Sequence, residues 1–216
     1  MHIPDGILPA SVVIGGYAVA GGATWLSLDR IKRKYENPRE LIPTASLLTA
    51  VFFVASLIHI PMPPTSVHLV LCGLMGVVLG WYAFPAILVG LFFQAVMFQH
   101  GGLTTLGVNA CVMGLPALLA YGIFRLRYRF GGDKPAWSIG FGFLAGFLGL
   151  ALGALMSSLL LILTIPANLD VAVERAAIIS LLVAHMPLAV LEGVFTGLVV
   201  FFLQRVRPEL LEAEIR

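Results

Sequence analysis

The stretch ILPASVVIGGYAVAGGATWLSLDRIKRK, residues 7–34, decides how the whole chain must be built. From Ile7 to Leu28 it carries no charged side chain, and four basic residues, Arg30, Lys32, Arg33 and Lys34, follow within six positions. A helix needs about 20 apolar residues to cross a bilayer, so this is the length of one span closed by a cationic stop. No positive segment precedes it and no small-residue cleavage site of the usual kind follows, which argues for a retained span rather than a cleaved signal. The rest of the chain has the same character. Hydrophobic residues make up 59% and charged residues 11% of 216, and mean hydropathy is +0.99, outside the balance of soluble domains.

Working outward, the hydropathy predicts one integral domain, an all-α bundle of about seven transmembrane helices near 7–29, 40–60, 66–83, 85–100, 104–126, 137–165 and 173–204. Trp81, Tyr82 and Pro85 mark the turn between the short third and fourth spans. Twelve of the thirteen basic residues follow spans one, five and seven, and only Arg175 falls in a loop of the other parity. The positive-inside rule then places the carboxyl terminus in the cytoplasm and the amino terminus outside. Cys72 and Cys111 lie in apolar stretches without a Cys-x-x-Cys pattern and read as packing residues.

The expected outer side collects the polar chemistry. Methionine aminopeptidases trim only before small residues, so Met1 is expected to remain before His2. Its amine, the His2 backbone nitrogen and the His2 ring Nδ1 can close a five- and a six-membered chelate ring on one metal. Planar nitrogen sets suit Ni(II) or Cu(II), and one more nitrogen completes the square. His68, expected one turn into span three behind a Thr65 or Ser66 cap, and His59, expected at the end of span two, are rivals for that place. The run from Gln94 to Asn109 reads as a helix end, a Gly101-Gly102 turn and a threonine-capped helix start. Gln94, His100, Thr104 and Asn109 bring more hydrogen-bonding groups than a lipid-facing turn requires. In span seven, His185 and Glu192 are seven residues apart on one helical face, and ionisable groups inside a membrane are paired or functional.

Four of these motifs, in this order, carry a family likeness. They are the opening Met-His-Ile-Pro-Asp-Gly, the Pro-Thr-Ser-Val-His segment ending at His68, the Gln94-to-Asn109 run, and His185-Met-Pro-Leu-Ala-Val-Leu-Glu192-Gly. Together they resemble the CbiM/NikM group, the substrate-capture (S) membrane subunits of energy-coupling-factor transporters for cobalt and nickel, over nearly the whole chain. The resemblance implies seven helices with the amino terminus folded back into the bundle. It implies a metal held by the Met1 amine, the His2 amide and ring, and His68, with Gln94, His100 and Asn109 supporting them. With Pro4-Asp5 where many cobalt members have Met-Glu, the type is read as nickel, Co(II) being the alternative substrate.

No Gly-x-x-x-x-Gly-Lys-[Ser/Thr] occurs, so the chain is not expected to bind ATP through a P-loop or to be an enzyme. The resemblance implies partners in a prokaryotic cytoplasmic membrane: a coupling transmembrane T subunit, two cytoplasmic ATPase subunits and small accessory membrane subunits, amid lipid and with no nucleic acid. Small residues on the first two spans, Ala18, Gly22 and Ala50 among them, are candidate contacts with the coupling subunit. Two other classes compete. An intramembrane metalloenzyme would use His185 and Glu192, but a His-Glu-x-x-His pairing is absent. A self-sufficient channel or ion-coupled carrier would distribute carboxylates over several spans, whereas Glu192 is the only acidic residue well inside one.

Overall fold

The computed structural model describes every residue except Met1, Pro63, Pro64, Gly132, Asp133 and 213–216, and at 59–62, 65–67 and 212 it describes the backbone alone. The chain forms α1 (Ala10–Lys34), α2 (Ile42–Ala55), a hairpin of β1 (His59–Met62) and β2 (Thr65–His68), then α3 (Cys72–Leu79) and α4 (Ala83–Phe98). It continues through α5 (Leu106–Arg125), α6 (Pro135–Leu163), α7 (Val171–Val206) and the short α8 (Glu209–Glu212). Six stretches among the described residues are long and apolar enough to cross a bilayer. One of these, Cys72–Phe98, is not a single rod. Gly80 sits at φ 55° and ψ −121°, and a 3₁₀ turn over Gly80–Tyr82 reverses the chain. His68 before α3 and Gln94 near the end of α4 both reach His2, so the two legs leave and return to the same end of the bundle.

The core forms around α3, whose residues are all buried except Val78. Such burial needs backbones in contact. A Cβ on Gly73 would lie 2.4 Å from the Ala145 carbonyl of α6, and one on Gly76 would lie 2.0 Å from the Ala117 carbonyl of α5. Small residues at helix crossings are how bundles close in lipid, where dispersion contacts replace the hydrophobic drive. Lys34 of α1 and Arg125 of α5 both reach the Tyr121 hydroxyl at 3.3 Å, and Arg30 lies over Trp81. The basic residues of α1 and α5 and the α3–α4 turn therefore share one end, opposite the histidines.

Three expectations are corrected here. The second helix stops at Ala55 rather than near 60, and the third begins at Cys72 rather than 66, because 59–68 pair as an antiparallel hairpin with His59 opposite His68. Thr-Ser-Val is β-branched and polar at its start, which favours extended backbone. Thr65 and Ser66 thus lie in a strand well before α3, whose cap position is Leu71, and His68 ends that strand instead of standing one turn into α3. The Pro63-Pro64 turn itself lies outside the described residues. At α5, Thr105 occupies the cap position but makes no capping bond there; the bonds come from the amino-terminal tail. Cys72 and Cys111 are buried and free.

Candidate metal centre

The tail before α1 folds into the bundle and is held residue by residue. The Ile3 side chain is 2% exposed and Leu8 is also buried. The Ile3 amide donates to Asn109 Oδ1 at 2.9 Å, while Asn109 Nδ2 (3.0 Å) and the Thr105 hydroxyl (2.6 Å) both donate to the Ile3 carbonyl. Asp5 accepts from the amides of Leu103, Thr104 and Thr105 at 3.2, 2.9 and 3.3 Å and from the Thr104 hydroxyl at 2.5 Å. These amides precede α5, where unpaired N–H groups and the helix dipole favour an anion, so Asp5 caps α5 from a distant part of the chain. The Thr104 hydroxyl, with those amides, holds the Asp5 carboxyl below the usual carboxylate range. The turn fits only without a side chain: a Cβ on Gly102 would lie 1.9 Å from Asp5 Oδ1, and Gly101 has φ 85°.

This docking sets His2 beside His68 at the end of β2. His2 Nδ1 and His68 Nε2 are 3.1 Å apart, and His2 Nε2 is 2.8 Å from Gln94 Oε1. The donors around them fix where the ring protons sit. The Ser56 hydroxyl donates to the Phe53 carbonyl, so it accepts from Gln94 Nε2 at 2.7 Å. That turns Gln94 Oε1 toward His2, and His2 Nε2 carries the proton. On the other ring, His68 Nδ1 donates to the Leu69 carbonyl at 3.1 Å. Both facing nitrogens are therefore bare lone pairs, an arrangement that repels unless a cation lies between them. With metal–nitrogen bonds of about 2.0–2.1 Å, two adjacent nitrogens of a square stand about 2.8–3.0 Å apart, close to the observed separation.

Protonation of both rings is disfavoured. Burial, reinforced by His68 nearby, lowers His2 well below the ordinary histidine range, and burial holds His68 down to about 3. His100 stands edge-on to both rings, with centroids 4.1 Å from His2 and 5.2 Å from His68. One nitrogen from each of the three rings lies within 4.8 Å of the others. Gln94 is fully buried and Asn109 nearly so.

Met1 lies outside the described residues, and of His59 only the backbone opposite His68 is described. His185 bonds back to the Leu181 carbonyl at 2.7 Å, and Glu192 reaches the backbone of Val70 and Leu71. Ala18 and Gly22 are exposed on α1, and Ala50 lines an apolar groove of about 710 Å³ between α1, α2 and α4. Asp5, Ser56 and Thr105 were not singled out as site residues by sequence reasoning. A carboxylate three residues after a terminal histidine was the available signal for Asp5, whereas nothing marks Ser56 until α2 is packed against α4.

Comparison with known proteins identifies the family. The family model described as "Cobalt uptake substrate-specific transmembrane region" matches residues 2–210. A Haemophilus influenzae relative described as a metal transport protein is 36% identical, covering 98% of this chain and 97% of that one. The fused nickel transport protein NikMN of Rhodobacter capsulatus is 30% identical, over 98% of this chain and 64% of its own length. A crystal structure described as a truncated transition metal transporter superposes with a TM-score of 0.79 at 26% identity, covering 95% of this chain and 99% of that one. A bundle of apolar helices matching this family model over residues 2–210 is a multi-pass cobalt/nickel uptake component, and the chain belongs to the CbiM family.

Proposed function

We propose that the chain is the substrate-binding (S) subunit of an ATP-driven energy-coupling-factor importer, with Ni(II) its preferred cargo and Co(II) the alternative. The observation that carries this reading is the pair of bare imidazole nitrogens of His2 and His68, 3.1 Å apart. The Met1 amine and the His2 backbone nitrogen would complete a four-nitrogen square, with Gln94, Asn109 and His100 fixing the tail and rings. Such a plane suits Ni(II), and Cu(II) should bind at least as tightly in vitro. The cell would then rely on copper being scarce.

Because the chain has no P-loop, energy would come from two cytoplasmic ATPase subunits through a coupling T subunit, with small accessory membrane subunits. The whole chain would act as one integral unit in a prokaryotic cytoplasmic membrane, carboxyl end inside, hydrolysing nothing itself. The exposure of Ala18, Gly22 and Ala50 supports α1 and α2 as the face met by the coupling subunit.

Metal analysis of the purified protein tests the reading. Wild type is expected to hold one nickel per chain with the absorption band of square-planar Ni(II), and His68→Ala to lose that stoichiometric nickel, keeping only weak binding by the tail. Nickel kept by His68→Ala but lost by His59→Ala would overturn the ligand set. Uptake by the purified chain alone in proteoliposomes would replace the capture subunit with a self-sufficient carrier.

A further inference from the structure

Glu192 lies near the middle of α7, buried to 1% exposure. Its Oε1 accepts the amides of both Val70 and Leu71, the second at 2.9 Å, across more than 120 positions of sequence. Those amides form the joint between β2 and α3. Leu71, the residue before α3, has φ 57°, and its own side chain makes no capping bond to that helix. A branched side chain avoids left-handed backbone unless its surroundings impose it. Here the carboxyl group supplies the missing acceptor for the helix start and holds Leu71 in that conformation. The residue just before these amides is Leu69, whose carbonyl takes the His68 Nδ1 proton and leaves Nε2 bare.

We infer that Glu192 is a positioning residue for the metal ligand His68: it locks the β2–α3 joint so that the Leu69 carbonyl fixes the ring's tautomer and aims Nε2 at His2. This rests on the proposed reading of His68 as a ligand. Supports behind a ligating histidine set its orientation and basicity, and their loss weakens metal binding about 10- to 100-fold. The carboxyl group is therefore held by backbone at the joint and is not a ligand. Oxygen acceptance at one position, rather than charge, is what the joint requires.

The experiment compares nickel affinity and the Ni(II) absorption band in purified full-length variants, with helicity and elution profile recorded for each. Glu192→Gln keeps the acceptor oxygen and should bind within about threefold of wild type with an unchanged band. Glu192→Leu should bind about 10- to 100-fold more weakly with a shifted band. Should Glu192→Leu not fold, Glu192→Asp, which withdraws the oxygen by one methylene, decides by the same criteria. Each variant is repeated in a His68→Ala background, where the weak binding left to the tail should not fall further, because Glu192 acts through His68. An equal further drop there marks a general structural role and overturns the inference, as does wild-type affinity and band in Glu192→Leu or Glu192→Asp. Unimpaired nickel binding by His68→Ala alone would instead overturn the ligand reading beneath it.

Discussion

Replacing Gln94 by Met should weaken nickel binding by roughly 2- to 13-fold while leaving the bundle folded, and the structure gives the size of the effect. Gln94 is fully buried between Ser56 at 2.7 Å and His2 at 2.8 Å. Methionine is unbranched and adaptable enough to fill the same space but accepts no proton from His2 Nε2. Losing that bond costs about 0.5–1.5 kcal/mol. The His2 ring then gains by moving its proton to Nδ1, from which it can donate to His68 Nε2 across the existing 3.1 Å gap. An arriving metal must break this new bond, at about another 0.5–1.5 kcal/mol. The Gln94 bond is lost from free and metal-bound protein alike, so only this second cost enters the affinity, and it corresponds to roughly 2- to 13-fold in Kd. Gln94→Glu keeps an acceptor facing His2 and should bind close to wild type. Competition against a chromogenic chelator at pH 7.5 measures all three proteins. Gln94→Met binding within twofold of wild type, or Gln94→Glu as weak as Gln94→Met, would refute the tautomer reasoning.

Four shorter predictions concern the tail. Inserting Leu between Met1 and His2 blocks methionine removal and lengthens the tail by about 3.5 Å; nickel should still bind, now without needing His68, but transport should fail. Inserting Ala permits trimming to Ala-His and should restore binding that depends on His68, with mass spectrometry confirming each terminus. Gly102→Ala puts a Cβ where Asp5 Oδ1 lies, 1.9 Å away, and should lower nickel content at unchanged helicity. Asp5 titrates below its unfolded value, so its stabilisation is full above the unfolded carboxylate range and is lost as pH falls through the lowered folded value. The thermal-melt difference between wild type and Asp5→Asn should therefore be present at pH 6 and vanish in strong acid, and a constant difference would contradict the assigned role.

Sequence alone determined the membrane bundle, because the apolar lengths of residues 7–28 and their successors answer to bilayer thickness and to nothing distant in the chain. It also offered candidate donors, since histidine is a common metal ligand wherever it stands and needs no partner to be recognised as one. The boundaries of α2 and α3 were not legible. Residues 59–68, with three prolines between the apolar runs, mark a turn whose extent is open, and they become a hairpin in a fold where Glu192 of α7 holds the joint beyond it, a bond spanning more than 120 positions. The Thr-cap expected for α5 failed for a similar reason, because Asp5 arrives from about 100 positions away and takes the role. Which nitrogen of each imidazole faces the centre likewise depended on tertiary packing. Ring protons follow their acceptors, and Gln94 and Leu69 become those acceptors once α2, α4, β2 and the tail have met.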